Sequence, residues 1–408
     1  MINTFLIIAW RNMLRNKRRS LITISGISFG LGAMIFLWGY IDGAHVQMKE
    51  NFTGLLMGHI QIHGKGFEKT MSLNEYIEDP QPIDSILNTC KGILYTKRVR
   101  TFCLFATAEN SVGGLLAGID PSSERKVTKI SKTALKGKFL EPRDSGVMAL
   151  GCSLAESLKV SVGDKVIVMA QAMDGTLAGE AFRVKGLIKT GVEEIDKSMA
   201  FVTLQDTQKL LSIGTGVTDF VLRVSSFDDV NFWANQLKMQ IPDNFEVMTW
   251  AEISPILKQW IDFDNAFAYV FLLIVLIIVT AGILNTILMS FLERKREFGI
   301  MISLGTKGYQ LAITVGIESF LLGLLGVMGG MGLGMSATLI FSYVGIPISS
   351  RVKEAMASFF MSDVIYPVLN TEHILTTSLV VLISSLVVSI YPAWKASRLE
   401  PVETLYHL

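Results

Sequence analysis

The stretch RNMLRNKRRSLITISGISFGLGAMIFLWGYIDG, residues 11–43, decides the fold. Five cations (Arg11, Arg15, Lys17, Arg18 and Arg19) run straight into Leu21–Ile41, which carries no charge. About 20 helical residues suffice to cross the hydrocarbon core of a bilayer. The run exceeds the apolar core of a secretory signal, about 7–15 residues, and Asp42-Gly43-Ala44-His45 offers no small-x-small cleavage site. A retained anchor is the expectation.

Three more apolar stretches follow, after a soluble-type segment of roughly the size of one or two domains. They are Asn265–Leu292, about Tyr309–Tyr343 and about Ile374–Trp394. Short flanks rich in Lys and Arg stay cytoplasmic. Such flanks precede the first span, lie between the second and third (Arg294, Lys295, Arg296, Lys307) and follow the fourth (Lys395, Arg398). Both termini are therefore expected in the cytoplasm, with Asp42–Asp264 and Gly345–Glu372 outside. The expected fold is an α-helical membrane protein: four transmembrane helices, with a large α+β domain between helices one and two. The expected divisions are a cytoplasmic amphipathic helix (1–20), transmembrane helix one (21–43), the outside domain (44–263, two subdomains) and helix two (264–292). A cytoplasmic loop helix (293–308), helix three (309–344), an outside loop (345–372), helix four (373–394) and a cytoplasmic tail (395–408) complete the chain.

Half of the residues are hydrophobic and 18% charged, and the net charge is +1. The basic clusters sit beside the spans, which argues against a nucleic-acid binder. Within Asn3–Arg19, Phe5, Leu6, Ile8, Ala9, Trp10, Met13 and Leu14 fall among cations at roughly helical spacing. An interfacial helix on anionic lipid and a plain topology signal both fit. Gly26 and Gly30, and Gly326, Gly330 and Gly334, stand four apart and predict close helix packing. Glu318 is the one charge within a span; a packing or interfacial role and a substrate or proton role stay open.

From Phe52 onward short alternating runs appear. Gly58–His63, Val162–Ala170 and Ala181–Ile188 read as strands, with a hairpin tip at Asp174-Gly175. Ser153–Lys159, Gln205–Leu211 and Asp229–Met239 read as helices. His59 and His63 share a strand face about 13 Å apart, too far for one metal, and read as a surface pair. Glu193, Glu194 and Asp196 read as a solvated turn. Cys90, Cys103 and Cys152 form no disulfide scaffold, although a Cys90–Cys103 bridge and buried thiols are both open. No phosphate-binding G-x-x-x-x-G-K-[ST], H-E-x-x-H or G-x-S-x-G occurs, so no catalytic site, metal site or cofactor is expected on this chain.

Glu293–Gly308 reads ERKREFGIMISLGTKG. Five charged residues precede an apolar side (Phe298, Met301, Ile302, Leu304), and Gly305 is placed to end a helix. Such a helix between two spans suits a lever for a soluble motor, or a loop that only sets topology.

This block, the glycines after it and the ending Tyr391–Leu405 (YPAWKASRLEPVETL) resemble the permease family that includes FtsX, MacB and the lipoprotein-releasing subunits LolC and LolE. Gly118-Ile-Asp-Pro121, Leu150–Val166 and Trp250–Tyr269 continue the likeness. The resemblance implies a MacB-like periplasmic core domain and a bacterial inner-membrane location. It implies a cytoplasmic ABC ATPase dimer that holds the ATP and Mg, and a second permease subunit, either a copy of this chain or a relative. Coupling to the ATPase would fall on Glu293, Arg294, Lys295, Arg296, Glu297, Phe298, Gly299, Met301, Leu304 and Gly305. Lipoprotein cargo would enter beside Phe36, Trp38, Tyr40, Phe263, Phe267 and Phe271, whose aromatic faces suit acyl chains or ordinary helix packing. A periplasmic carrier would meet the hairpin at Met173, Asp174 and Gly175, which lacks the proline-containing hook of the lipoprotein-releasing members. A MacB-like efflux permease and an FtsX-like regulator of a cell-wall hydrolase are the alternatives.

Overall fold

The computed structural model describes residues 2–349, 360–361 and 363–398 of the 408-residue chain. The middle of the expected loop 345–372 and the tail from Leu399, with the end of the family-like motif, lie outside the described residues. The chain forms two compact units. One comprises Met1–His45, Ile261–Pro347 and Val364–Leu408; the other comprises Val46–Trp260 and Ile348–Asp363.

The first unit is helical. A helix over Ile2–Arg15 leads into span one, Lys17–Phe52. Span two is Pro255–Glu293, a short connecting helix is Lys295–Ser303, span three is Gly308–Val344 and span four is Thr371–Ser397. All four spans are long and apolar enough to cross a membrane. The uncharged run Asn265–Leu292, with Val270–Val279 wholly valine, leucine, isoleucine and phenylalanine, fixes span two as a helix, because in lipid only a helix satisfies its own amides.

The spans alternate in direction. Ile27, Leu31 and Ile35 meet Gly326, Gly330 and Gly334 in the same order, so spans one and three are parallel. Arg19 pairs with Glu293 and His45 with Asp264, which makes spans one and two antiparallel. A Cβ on Gly308 would lie 2.3 Å from the Ser397 carbonyl, and one on Gly323 2.4 Å from Ser385 Oγ, so spans three and four are antiparallel. One end of the bundle thus gathers Arg15, Arg19, Glu293 and the connecting helix. The other gathers Asp42, His45, Asp264 and His373.

The second unit is built on one ten-stranded sheet. Its strands are β1 (Ile60–Gly64), β2 (Ile93–Ala106), β3 (Ser111–Ile119), β4 (Ala134–Gly137) and β5 (Val147–Gly151). β6 (Lys165–Gln171), β7 (Leu177–Ile188), β8 (Met199–Thr203), β9 (Asp219–Val224) and β10 (Phe245–Thr249) complete it. Pairing runs β10-β1-β9-β2-β3-β8-β5-β7-β4, and β6 joins β7 back to β2. Six strands, β2-β3-β8-β5-β7-β6, therefore close into a ring around Phe105, Leu116, Val166, Phe182 and Val202. β2 is shared: Ile93–Arg98 pair with β9, and Leu104–Ala106 with β6. The first strand and the last two lie together on one side of it, so both strand-rich flanks of the sequence belong to one sheet.

Two buried arginines on β2 carry the polar part of this core. Arg98 grips Glu124 through Nε (3.0 Å) and Nη2 (2.6 Å), and Thr128 Oγ1 donates to the same carboxylate. Arg100 binds both Asp219 oxygens at 2.8 and 2.5 Å and Glu68 at 2.8 Å. Burial alone would raise the Asp219 carboxyl, but the Arg100 charge and hydrogen bonds hold it below the usual carboxylate range. His63, Glu68 and Asp219 converge closely enough to suggest a metal site. Arg100 already supplies the positive charge there, so the group is an ion-pair network.

Several sequence expectations are corrected here. His59 and His63 are buried, not a surface pair. β1 lies between β9 and β10, which covers it on both edges, and the domain core covers its faces. Asp196 is buried and accepts from Thr190 N and Oγ1 at 2.8 Å, closing the turn that was read as solvated. Glu193 and Glu194 are exposed, on the short helix Glu193–Ser198. The three cysteines are free, and burial pushes the Cys103 thiol up to about 12, which keeps it unreactive.

His59 carries a pH dependence. Val224 N–H donates to its Nδ1 at 3.2 Å, which requires a neutral ring. Burial, reinforced by Arg223, lowers its pKa to about 4. A histidine ordinarily titrates near ~6.5 when unfolded, so the unfolded state binds the extra proton first and stability falls as pH drops from there towards about 4. The thermal midpoint of this unit is expected to be roughly 4 °C lower at pH 5 than at pH 7, on the scale of about 2–4 °C per kcal/mol for a domain of this size. His59→Gln should flatten that slope, as read by scanning calorimetry.

Candidate functional site

The helical unit presents three features: a glycine-lined helix seam, a charged network around the connecting helix and an apolar cavity between spans one and two. The seam comes first because it fixes the others. A Cβ at Gly326 would lie 2.6 Å from Ile27, one at Gly330 2.8 Å from Leu31 and one at Gly334 2.7 Å from Ile35. Only glycine admits that approach. Ser28 Oγ donates to the Gly326 carbonyl at 3.0 Å along the same seam. Gly30 faces Val279 of span two instead, and Gly26 faces open space. The expected packing role of Gly26 is thus corrected: it shares a helix face with Gly30, four residues on, but no neighbouring segment reaches it. Gly32 is closely approached as well, and so are Gly39 and Gly43, a further pair four residues apart that the sequence reading passed over.

At the basic end, alternating charges tie together five segments: the first helix, spans one, two and three, and the connecting helix. Arg15 Nη2 meets both Glu297 oxygens at 2.7 and 2.8 Å, and Arg19 meets Glu293 at 2.7 Å. Arg294 reaches Glu297 at 3.1 Å and Glu318 at 3.0 Å while its guanidinium lies over the Phe298 ring at 4.8 Å. Only 8% of the Arg294 side chain and 12% of Glu318 is exposed. Arg294, expected among the residues that couple to the ATPase, thus spends its charge inside the bundle and gives Glu318 its partner. The Glu297 carboxyl is held below its usual range, chiefly by the Arg15 hydrogen bond. A cavity of about 20 Å³ beside Arg294, Glu318, Ser290 and Ser319 has room for about one water. Removing one member of a buried pair strands the other at a cost of about 3–5 kcal/mol. Arg294→Ala is accordingly expected to lower the melting temperature of the membrane unit sharply, and Glu318→Gln with it to recover part of the loss. Thermal unfolding in nanodiscs measures both.

The connecting helix divides into an inner and an outer side. Phe298 and Gly299 are buried, Phe298 stacking on Phe291 at 6.0 Å, and Met301 and Ile302 are half-buried against the same cluster. Arg296, Ile300 and Leu304 recur every fourth residue along the outer side. Ile300 is 46% exposed and Leu304 83%. Leu304 thus leaves the apolar side on which the sequence placed it, and Ile300, absent from that expectation, joins it; the i, i+4 spacing was the available signal. Lys295 is half-buried. Gly305, at φ +101°, closes the helix: its N–H reaches the Ile302 carbonyl at 2.9 Å and Thr306 N–H the Met301 carbonyl at 3.0 Å. That pair of bonds is a Schellman cap.

Between spans one and two lies a cavity of about 230 Å³ lined by Ala33, Phe36, Trp38, Phe271, Leu272 and Val275 among others. It contains three of the six expected cargo residues. Trp38 is buried, Phe36 meets Phe341 at 5.4 Å, and Phe271 is half exposed. Phe263 and Phe267 are exposed and Tyr40 half-buried, and none of these three borders the cavity. In the sheet unit, Met173, Asp174 and Gly175 form the tip of the β6–β7 hairpin. Asp174 Oδ1 accepts from Thr176 N (3.0 Å) and Oγ1 (2.6 Å), bonds that hold its carboxyl low, and Gly175 has φ +81°. An open groove of about 270 Å³ adjoins the tip between Met71, Phe102, Gln171 and Met173.

This combination, four spans with a mixed α+β unit between the first two in chain order and a capped helix between the second and third, is that of an ABC transporter permease. A family model described as MacB-like periplasmic core domain matches residues 20–239, and one described as FtsX-like permease C-terminal matches residues 269–401. The chain belongs to this FtsX-like, MacB-like permease family. Among similar proteins is the lipoprotein-releasing system transmembrane protein LolC of Xylella fastidiosa (strain 9a5c), 22% identical over 96% of this chain and 96% of its own. LolC of Neisseria meningitidis serogroup B is 24% identical over 97% of this chain and 98% of its own. The macrolide export ATP-binding/permease protein MacB of Hyphomonas neptunium is 22% identical over 97% of this chain but only 60% of its own length.

Proposed function

We propose that this chain is the membrane subunit of an ABC transporter of the lipoprotein-releasing type, working with an ATPase on a separate chain. ATP and Mg bind that partner. The basic end of the bundle faces the cytoplasm with both termini, and the sheet unit lies in the periplasm. The outer side of the connecting helix (Arg296, Ile300, Leu304) receives the closing motion of the ATPase, and the charged network passes it to spans one and three. The observation that carries the cargo class is the cavity between spans one and two. Its walls are almost wholly apolar, as an acyl chain requires and a polar drug does not; each buried methylene contributes about 0.8 kcal/mol. A second permease subunit would complete the transporter, and the hairpin at Asp174-Gly175 is the proposed contact for a carrier.

Similarity to MacB over nearly the whole chain keeps a second reading, efflux of a periplasmic peptide or drug. The two separate in one experiment. The chain and its ATPase are reconstituted in nanodiscs holding a triacylated lipoprotein, and release to a soluble acceptor is followed with ATP. ATP-dependent release is expected. Retention of the lipoprotein, with ATP hydrolysis stimulated by a soluble peptide instead, would favour efflux.

A further inference from the structure

Trp38 has a neighbour on each side. It borders the apolar cavity together with Ala33, Phe36 and Phe271. His373 of span four stacks on it, with ring centroids 4.0 Å apart and 25° between the planes, and Tyr269 of span two meets its edge at 5.1 Å. His373 does not float: its Nδ1 lies 2.7 Å from Oδ2 of Asp42, one turn further along span one. The imidazole is thus fixed between a carboxylate and an indole of the same helix. The backbone is drawn in as well. Val368 N–H donates to the Gly39 carbonyl at 2.9 Å, and a Cβ on Gly43 would lie 2.3 Å from the Tyr366 carbonyl. Polar residues in a span carry a desolvation cost that a functional or packing gain must offset. Neither the seam nor the charged network uses this one.

We propose that His373 is a positioning residue for the cavity: fixed by Asp42, it props Trp38 in place as the end wall and so limits how far a hydrocarbon chain can enter between spans one and two. The identity of the entering chain rests on the lipid-cargo reading; the existence of the wall does not. Freed of its stacking partner, the indole gains rotamers and swings towards the cavity mouth, where lipid reaches it.

The test uses the full chain with its ATPase partner in nanodiscs of phosphatidylcholine brominated on its acyl chains. Bromine quenches tryptophan on contact, and the Trp38 signal is the difference from Trp38→Phe. His373→Ala is expected to raise quenching of Trp38 about twofold, since it removes the ring contact. His373→Phe, which keeps a ring against the indole, is expected to stay near the parent. Unchanged basal ATP hydrolysis verifies assembly. Should alanine prevent assembly, His373→Gln, which lacks the ring, is expected to give the same rise. Parent-level quenching in the ring-less variants, or His373→Phe as strongly quenched as they are, overturns the proposal. A triacylated lipopeptide is expected to shield Trp38 in the parent; no shielding, with the His373 effect present, overturns the lipid-cargo reading alone.

Discussion

Replacing Ile300 and Leu304 together by aspartate is expected to abolish ATP-driven transport while the chain still inserts and folds. Both side chains lie on the outer side of the connecting helix and outside the buried cluster of the bundle, so a charge there costs little stability. A docked ATPase would have to desolvate it. Anchor residues at protein interfaces contribute about 2 kcal/mol or more each, and every ~1.4 kcal/mol is tenfold in affinity. The ATPase should therefore bind the double variant at least about a hundredfold more weakly. Pull-down and ATPase stimulation in nanodiscs measure this. Arg296→Glu, an exposed charge on the same side, is expected to do less. Gly305→Pro should uncouple by another route: proline cannot take φ +101° and has no N–H for Ile302, so the helix loses its cap. Full transport by the Ile300/Leu304 double variant would remove the connecting helix from the mechanism.

The second large effect concerns the seam. Gly330→Leu is expected to prevent accumulation of folded protein in the membrane. Even the first added carbon would stand 2.8 Å from Leu31 Cβ, closer than carbon atoms approach, and three more have no space at all. Overpacking typically costs about 1–3 kcal/mol where neighbours can yield. Here the neighbours sit on a helix that is itself pinned by Gly326 and Gly334. Gly330→Ala should recover in part when Leu31→Gly is added, because that change removes the Cβ at 2.8 Å. Gly26→Ala, four residues from Gly30 in the same span, is expected to be neutral or stabilising, because its side chain would face open space and alanine favours helix. Size-exclusion profiles in detergent distinguish these outcomes.

Local features were legible in the chain. Charge-free runs gave the spans, Asp174-Gly175 the hairpin and Gly305 the end of the connecting helix, because each depends on residues near one another. Pairings across the chain were not. Glu318 reads as an isolated charge until Arg294 is folded against it, and His373 has no evident purpose until Asp42, 331 residues earlier, reaches it. Glycine spacing alone could not tell Gly26 from Gly30, since both lie on one helix and only the neighbouring span decides which is covered. His59 and His63 likewise read locally as a surface pair, yet β9 and β10, far along the chain, flank β1 and make both core residues.

The three isoleucine and leucine knobs of span one, each seated opposite its own glycine notch on span three, behave as teeth on a rack. Intermediate offsets would drive a knob against a side chain between two notches. Sliding of one rod along the other is therefore permitted only by whole notches of four residues, ~6 Å at a time. A smaller push delivered to either rod must carry both along as one piece.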